Sequence, residues 1–362
     1  MNSKYWIVTK TGEAEIRALD NVSKNIIDKI TPLVEITRGR KITRGGIEAY
    51  PFGKRLSKIK NIFQGQTIAI DVTSDDSLSS PEVDLLYDPK DGYKNWIDFL
   101  LQLNDEKIFN EIIPTILFNF EDDNFDENII KQIRSLKENF NTILYRCSIA
   151  DDNCYDDLEL FYNEISDINL KIIIDCGYTP QASHKNVSDK CIARINNIKK
   201  IMTTFDCEYI VASTSFPNNV RDLGDTSSDT YSISEIEIHN EIIKTHEDVI
   251  YADYASINPI RNDTVAMARG WIPRIDVPLE NQIFYYKERR PKGVTSYAST
   301  YTQVAREVCS DIRFPFDLSD NWGVIQIQDC ANGGSPSATP SFWISVRMNI
   351  HIEQQVKRIY SI

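Results

Sequence analysis

The sequence predicts an α/β protein with a (β/α)8, TIM-barrel-like body and a β-rich C-terminal elaboration. Three observations carry the prediction: eight short apolar runs recur through the first 254 residues, seven helix-like segments separate them, and each run ends at or near a polar or charged side chain. Strands that alternate with helical patterns build βαβ units around a parallel sheet. When such a sheet closes into a barrel, the strand C-termini converge on one mouth, where enzymes of this fold keep their chemistry.

The first run, Trp6–Thr9, turns at Lys10 to Glu13 into a predicted helix over Glu15–Ile30, with Ile16, Leu19, Ile26, Ile27 and Ile30 near helical spacing. Thr31-Pro32 ends that helix, because the residue before a proline avoids the α region. Thr31–Ile36 is the second run, followed by a loop reading TRGRKITRGG and a predicted helix over Gly53–Phe63. Thr67–Val72 is the third, and the helix predicted over Tyr93–Leu103 aligns Trp96, Phe99 and Leu100 on one face. Ile112–Phe118 is the fourth. The acidic stretch EDDN after it favours a helix start, since carboxylates stabilise a helix N-terminus, and Asn128–Asn139 is the predicted helix. Thr142–Ile149 leads to a helix predicted over Tyr155–Ile165. Leu170–Asp175 is continuous and β-branched, as a strand covered on both faces should be. A helix predicted over Val187–Phe205, the run Glu208–Ser213, a Ser/Thr/Asp-rich loop at Thr214–Thr230, a helix predicted over Ser232–Thr245 and the run Asp248–Asp253 complete the series.

From Ala255 the alternation stops. The pattern predicts extended chain over Trp271–Tyr286, a helix over Tyr297–Cys309, a strand in WGVIQIQDC, a Gly/Ser/Pro loop over Asn332–Pro340 and a last alternating strand over Phe342–Ile352. Residues 1–254 are thus expected to form the barrel body and 255–362 a β-rich cap, or a substitute for the eighth helix that also walls the mouth.

Composition narrows the function. A formal net charge of −13, from 53 acidic and 40 basic residues, disfavours a broad non-specific grip on duplex nucleic acid. The opening MNSKYWIVTK lacks the apolar stretch of a secretory signal, and no run approaches the ~20 apolar residues of a membrane span. A cytoplasmic location without membrane attachment is expected. Seven cysteines, odd in number and never spaced CxxC, point to reduced thiols. The four histidines show neither HxxxH nor HxH spacing, which disfavours a zinc hydrolase. No GxSxG elbow, P-loop or GxGxxG before a helix occurs, which removes the common hydrolase, NTPase and dinucleotide readings.

The candidate site residues stand at the run ends. Glu35, Asp71, Asp175 and Asp253 are expected to share a cavity, where carboxylate oxygens suit Mg2+ or Mn2+ and a crowded pair raises one pKa for acid/base work. Asp71 and Asp253 are the metal candidates. Lys10 joins the catalytic set and Arg146 the ligand-binding one, where they would steady a phosphate; alternatively the two neutralise the acids as buried ion pairs. Arg38, Arg40, Lys41 and Arg44, in the loop after the second run, form either an anion funnel or a solvated loop or oligomer contact. His351, on the last predicted strand, either reaches a pocket as a ligand-binding residue or is a hydrogen-bonded structural histidine, the reading its residue type favours. Tyr254, Trp271, Tyr285, Tyr286, Trp322 and Trp343 either stack a base or fill a core.

The opening YWIVTKTGEAEIRAL with ITPLVEI, Asp253-Tyr254, the Trp322-Gly323 strand, Asp329-Cys330-Ala331 before a Gly-rich loop, and Trp343 through His351 together resemble the phage-associated beta protein family of phage and bacterial genomes. Lys10, Glu13, Glu35, Asp71 and Asp253 match positions where that family looks similar, and Arg347 to His351 match its closing strand. RMNIHI departs from the family's more usual histidine doublet. The resemblance implies a barrel-like fold and an association with mobile elements and antiviral gene neighbourhoods, and supplies no reaction.

Two functions are expected from these readings. In the first, the mouth of a cytoplasmic antiphage or mobile-element protein binds an anionic, phosphate-bearing ligand such as a nucleotide or nucleic-acid end, with metal-dependent phosphodiester hydrolysis as its chemistry. In the second, a non-catalytic barrel binds and regulates a partner, such as a nuclease encoded beside it, or a second copy of itself.

Overall fold

Strands buried on both faces need neighbours on both edges and helices outside, and the β-branched runs find them. In the computed structural model, which describes residues 3–165, 167–203, 207–218, 226–260, 270–334 and 337–361, eight strands lie parallel. They are β1 (Tyr5–Lys10), β2 (Ile30–Ile36), β3 (Thr67–Val72), β4 (Glu111–Pro114), β5 (Thr142–Ser148), β6 (Asn169–Tyr178), β7 (Glu208–Thr214) and β8 (Ile250–Asp253). Their order is β4-β3-β2-β1-β8-β7-β6-β5. The outermost two meet through one bridge, Thr115 opposite Leu144, where the Ile116 amide donates to the Leu144 carbonyl at 2.8 Å. The sheet is a nearly closed barrel, compatible with the (β/α)8 form.

Alternation along each strand divides its residues between two cores. Trp6, Val8, Leu33, Ala69, Ile113, Leu144, Ile173, Ile210 and Ala252 make a cluster of their own inside the barrel. Residues of the opposite parity, among them Ile7, Val34, Ile70, Tyr145, Ile174 and Tyr251, pack outward. They meet α1 (Glu13–Asp20), α2 (Gly53–Ile62), α3 (Lys90–Asp105), α4 (Phe125–Asn139), α5 (Cys154–Phe161), α6 (His184–Ile201) and α7 (Ser234–Ile242), which follow β1 to β7 in turn.

The C-terminal region departs from its sequence pattern. β9 (Arg274–Pro278) and β10 (Gln282–Lys287) form an antiparallel pair, extended by Ser228–Ser232 on the other side of β10. Three helices accompany them: α8 (Ala298–Ser310), α9 (Trp322–Ala331) and α10 (Pro340–Tyr360). The two strands expected at WGVIQIQDC and Phe342–Ile352 are therefore helices. In α9, Val324, Ile327 and Cys330 face the core at helical spacing, and the Asn321 side chain caps the start by accepting from the Val324 amide at 3.0 Å. Only glycine fits at Gly323, where a Cβ would lie 2.7 Å from the Val346 carbonyl oxygen, so α9 and α10 cross in close contact.

In α10 two helical stripes are superimposed. Trp343, Val346 and Ile350 join the C-terminal core, while Met348, Ile352 and Val356 join the core outside the barrel. With both faces buried the 3.6-residue period is masked, and the residues mimic strand alternation. α10 packs on α1, with the Asn349 side-chain amide donating to the Ala18 carbonyl at 3.1 Å. It thus stands where the eighth helix of a barrel would stand. No helix of the described residues is long and apolar enough to cross a membrane.

Candidate functional site at the barrel mouth

The inward parity that carries Val8, Leu33, Ala69, Leu144 and Ile173 into the barrel carries Lys10, Glu35, Asp71, Arg146 and Asp175, two positions further on, to its mouth. Sheet register sets the first three side by side, with Lys10 opposite Glu35 and Glu35 opposite Asp71. Arg146 reaches over the apolar layer to all three acids. Its Nη1 donates to Glu35 Oε1 at 2.6 Å and to Asp71 Oδ2 at 2.8 Å; Nε and Nη2 donate to Asp175 Oδ2 at 3.0 and 2.7 Å. The fifth guanidinium donor turns to the Tyr254 hydroxyl at 3.3 Å, and that hydroxyl lies 2.6 Å from both Asp175 oxygens. Lys10 Nζ donates to the Pro259 carbonyl at 2.7 Å and stands 3.8 Å from Glu35.

Burial and charge pull these groups in opposite directions. Burial raises the Asp71 carboxyl above the usual carboxylate range; Arg146 opposes the rise and the Glu35 charge adds to it. Burial disfavours the Arg146 cation, yet the pull of Asp175 and Glu35 outweighs it and holds the guanidinium charged. Burial and the Asp175 charge push the Tyr254 phenol well above its ordinary value, so it stays a donor.

Above this layer opens a cavity of about 620 Å³, within the size range of small-molecule sites. Its floor is the ionic layer; one flank is apolar, from Ile116, Leu117, Phe118 and Phe120. Six carboxylates (Glu35, Asp71, Asp75, Asp151, Asp157 and Asp175) border it against two cations, Lys10 and Arg146. Asp157 accepts from the Tyr145 hydroxyl at 2.7 Å, and burial raises its carboxyl to about 6. Thr115, also on the lining, has a buried hydroxyl with no hydrogen-bond partner among the described residues.

Asp253 and His351 are elsewhere. Ala252 and Tyr254 take the inward parity of β8 and its end, so Asp253 points outward, beneath α10. Both its oxygens are occupied there: Tyr5 Oη at 2.8 Å and the Ala255 amide at 2.8 Å on one, Tyr251 Oη at 3.0 Å and His351 Nε2 at 2.7 Å on the other. Burial opposes ionisation of Asp253, but His351 outweighs it and the carboxyl is lowered. The expected pairing of Asp71 with Asp253 around an ion is therefore not made, because the barrel wall separates them. No group of three or more His, Cys, Asp or Glu among the described residues is arranged to hold a metal.

The basic loop is also apart from the cavity. It folds as a hairpin, Ile42–Arg44 against Ile47–Ala49. Arg38 lies over the Tyr50 ring at 5.3 Å, Lys41 pairs with Glu48 at 2.5 Å, and Arg40 is exposed. Arg38, Arg40 and Lys41 do not line the cavity, and the side chain of Arg44 lies outside those described.

Thr115, Tyr145 and Asp157, which the sequence does not single out, complete the mouth together with Tyr254, which the sequence offers only as a stacking or core aromatic. Strand parity would have found Thr115 and Tyr254; Asp157 sits on α5 with no strand signal to mark it.

Comparison with known proteins matches a family described as Beta protein over residues 5–357. The chain is 28% identical over 361 residues to a protein named Protein beta from Enterobacteria phage P4, covering 98% of this chain and 94% of the relative.

Proposed function

The chain belongs to the Beta protein family, and from that premise and the chemistry of the mouth we propose that it is a cytoplasmic mobile-element or antiphage protein. Its barrel mouth binds a small ligand that presents a cation or several hydrogen-bond donors. The saturation of Arg146 carries this reading. All five guanidinium donors are engaged by Glu35, Asp71, Asp175 and Tyr254. The cavity therefore offers mainly acceptors, and its lining holds six acids to two bases. A phosphate-bearing ligand with a divalent ion would first have to displace these carboxylates from Arg146. A donor-rich ligand need not. Asp71, with its raised carboxyl, is the group placed to exchange a proton with such a ligand.

Calorimetric titration of the full chain with agmatine, spermidine and arginine, beside ATP with Mn2+ and single-stranded oligonucleotides, tests this. Binding of an amine that is lost in Asp175→Asn supports the reading. Binding of nucleotide with Mn2+, and of no amine, overturns it.

Regulation of a protein partner is favoured by one further observation. Phe120 and Ile260, both on the cavity lining, are each 60% exposed, an apolar rim around an acidic well. A partner's lysine or arginine, flanked by apolar residues, would fill it.

A further inference from the structure

A second chemistry-bearing cluster lies on the β5–α5 side of the mouth, away from the Arg146 layer. Cys154 is the first residue of α5, and Cys147 lies near the end of β5. Both border the cavity. Arg194, from α6, donates through Nη1 to the Cys154 sulfur at 2.8 Å. That guanidinium is fixed in place by the Asp151 carbonyl at 2.7 Å and the Asp152 carboxylate at 2.7 Å. A helix start and a fixed cation are the surroundings that stabilise a thiolate.

We propose that Cys154 is a thiol-modification site that reacts with small disulfides admitted through the barrel mouth, and that Cys147 resolves the product. The Cys154 thiolate attacks one sulfur of the reagent; the reagent's S–S bond breaks, and its other half leaves as a thiolate that takes up a proton. Cys147 then loses its proton, attacks the Cys154 sulfur and expels the second half. Two protein thiols become one disulfide, and the reagent disulfide becomes two thiols.

The two cysteines divide these roles by their surroundings. The hydrogen bond from the Cys147 thiol and the Arg194 charge hold the Cys154 thiol below its ordinary value. The same hydrogen bond, with burial, holds Cys147 well above it. Cys154 is the thiol ready to attack, and Cys147, seven positions earlier and on the same cavity lining, is the thiol placed to resolve the mixed disulfide. Cys154 is only 2% exposed, so the reagent must be small. Preference for a cationic reagent rests on the acid-bordered mouth proposed above; the thiol chemistry does not.

The test treats the folded full chain with cystamine, which is cationic, or 3,3′-dithiodipropionate, which is anionic and of similar size, and maps each cysteine by peptide mass spectrometry over time. Cys154 is expected to be modified first and more quickly by cystamine, with a Cys147–Cys154 disulfide following. Cys147→Ser should stop at the mixed disulfide, and Cys154→Ser should slow the first modification about tenfold or more, the advantage of a stabilised thiolate over an ordinary buried thiol. Modification of Cys176, Cys207 or Cys309 ahead of Cys154 in the unmutated protein overturns the proposal, as does a disulfide confined to Cys176 and Cys191, whose sulfurs lie 3.4 Å apart. Equal rates with the two reagents, with Cys154 still first, would uphold the thiol site and overturn the cation preference of the mouth.

Discussion

Arg146 on β5 and Glu35 on β2 meet at 2.6 Å across the barrel mouth, although 111 positions separate them in the chain. The contact ties together strands that are not neighbours in the sheet, and it makes one guanidinium the counter-charge of a carboxylate layer.

Replacing that guanidinium should therefore be costly. Arg146→Met leaves Glu35, Asp71 and Asp175 close together and without their shared cation, a loss of about 3–5 kcal/mol at neutral pH. Without Arg146, Asp71 loses the cation that opposes the burial-driven rise of its carboxyl, so the native state binds a proton the unfolded one has released, and the deficit should shrink as pH falls. Urea unfolding at pH 7 and pH 5 measures both effects; equal stability of mutant and parent at pH 7 would show that the layer is not held by charge.

Asp71 and Asp253 should separate cleanly under the same conservative change. Asp71→Asn keeps shape at a mouth residue whose ionisation burial opposes; its melting temperature should stay within a few degrees of the parent (about 1 kcal/mol or less) while amine binding weakens. Asp253→Asn breaks the buried pair with His351 and should cost roughly 2–4 kcal/mol without changing the mouth. Paired thermal melts and titrations decide this, and reversed phenotypes would mean that Asp253 has access to the ligand.

Glu235 gives the protein a pH-dependent stability. Burial and the Asp253 charge raise its carboxyl to about 7 in the folded state, from an ordinary value of 4.5. Between those values the native state binds the extra proton, so stability is greatest below the window and declines as pH rises through it, by on the order of 3 kcal/mol. Glu235→Gln should flatten that decline while keeping an acceptor for the Ser215 amide, which now donates to Glu235 at 2.9 Å. Denaturation curves from pH 4 to pH 8 are the measurement, and an unchanged slope in the mutant would assign the decline to other groups.

Phe120 can be removed at little structural expense. It is 60% exposed, so Phe120→Ser should shift stability by no more than about 0.5 kcal/mol. If the rim receives a partner or an apolar ligand body, affinity should fall at least about tenfold, as for an exposed aromatic anchor. Titration against any ligand or partner found for the parent checks this; unchanged affinity would exclude the rim from recognition.

The barrel was legible in the sequence because its signals are local: apolar runs, a proline after a helix, charges at strand ends. Lys10, Glu35, Asp71, Arg146 and Asp175 share the inward parity and so arrive together. Asp253 shows the limit of reading strand ends without parity, since one step along a strand changes the face. The basic stretch at Arg38 to Arg44 was visible as composition, but its folding back as a hairpin depends on Gly45 and Gly46, both at positive φ. α10 was missed for the opposite reason, an excess of apolar signal from two cores that one helix serves.

The barrel wall is not equally strong all the way round. Most adjoining strands are joined over four to seven paired positions, as β5 and β6 are from Thr142 opposite Asn169 to Ser148 opposite Asp175, but among the described residues β4 and β5 are stitched at Thr115 and Leu144 alone. A hoop yields at its thinnest stave. Widening there would spread Phe118 from Arg146, admitting a bulkier guest while the seven firmer joints keep the remaining wall in shape.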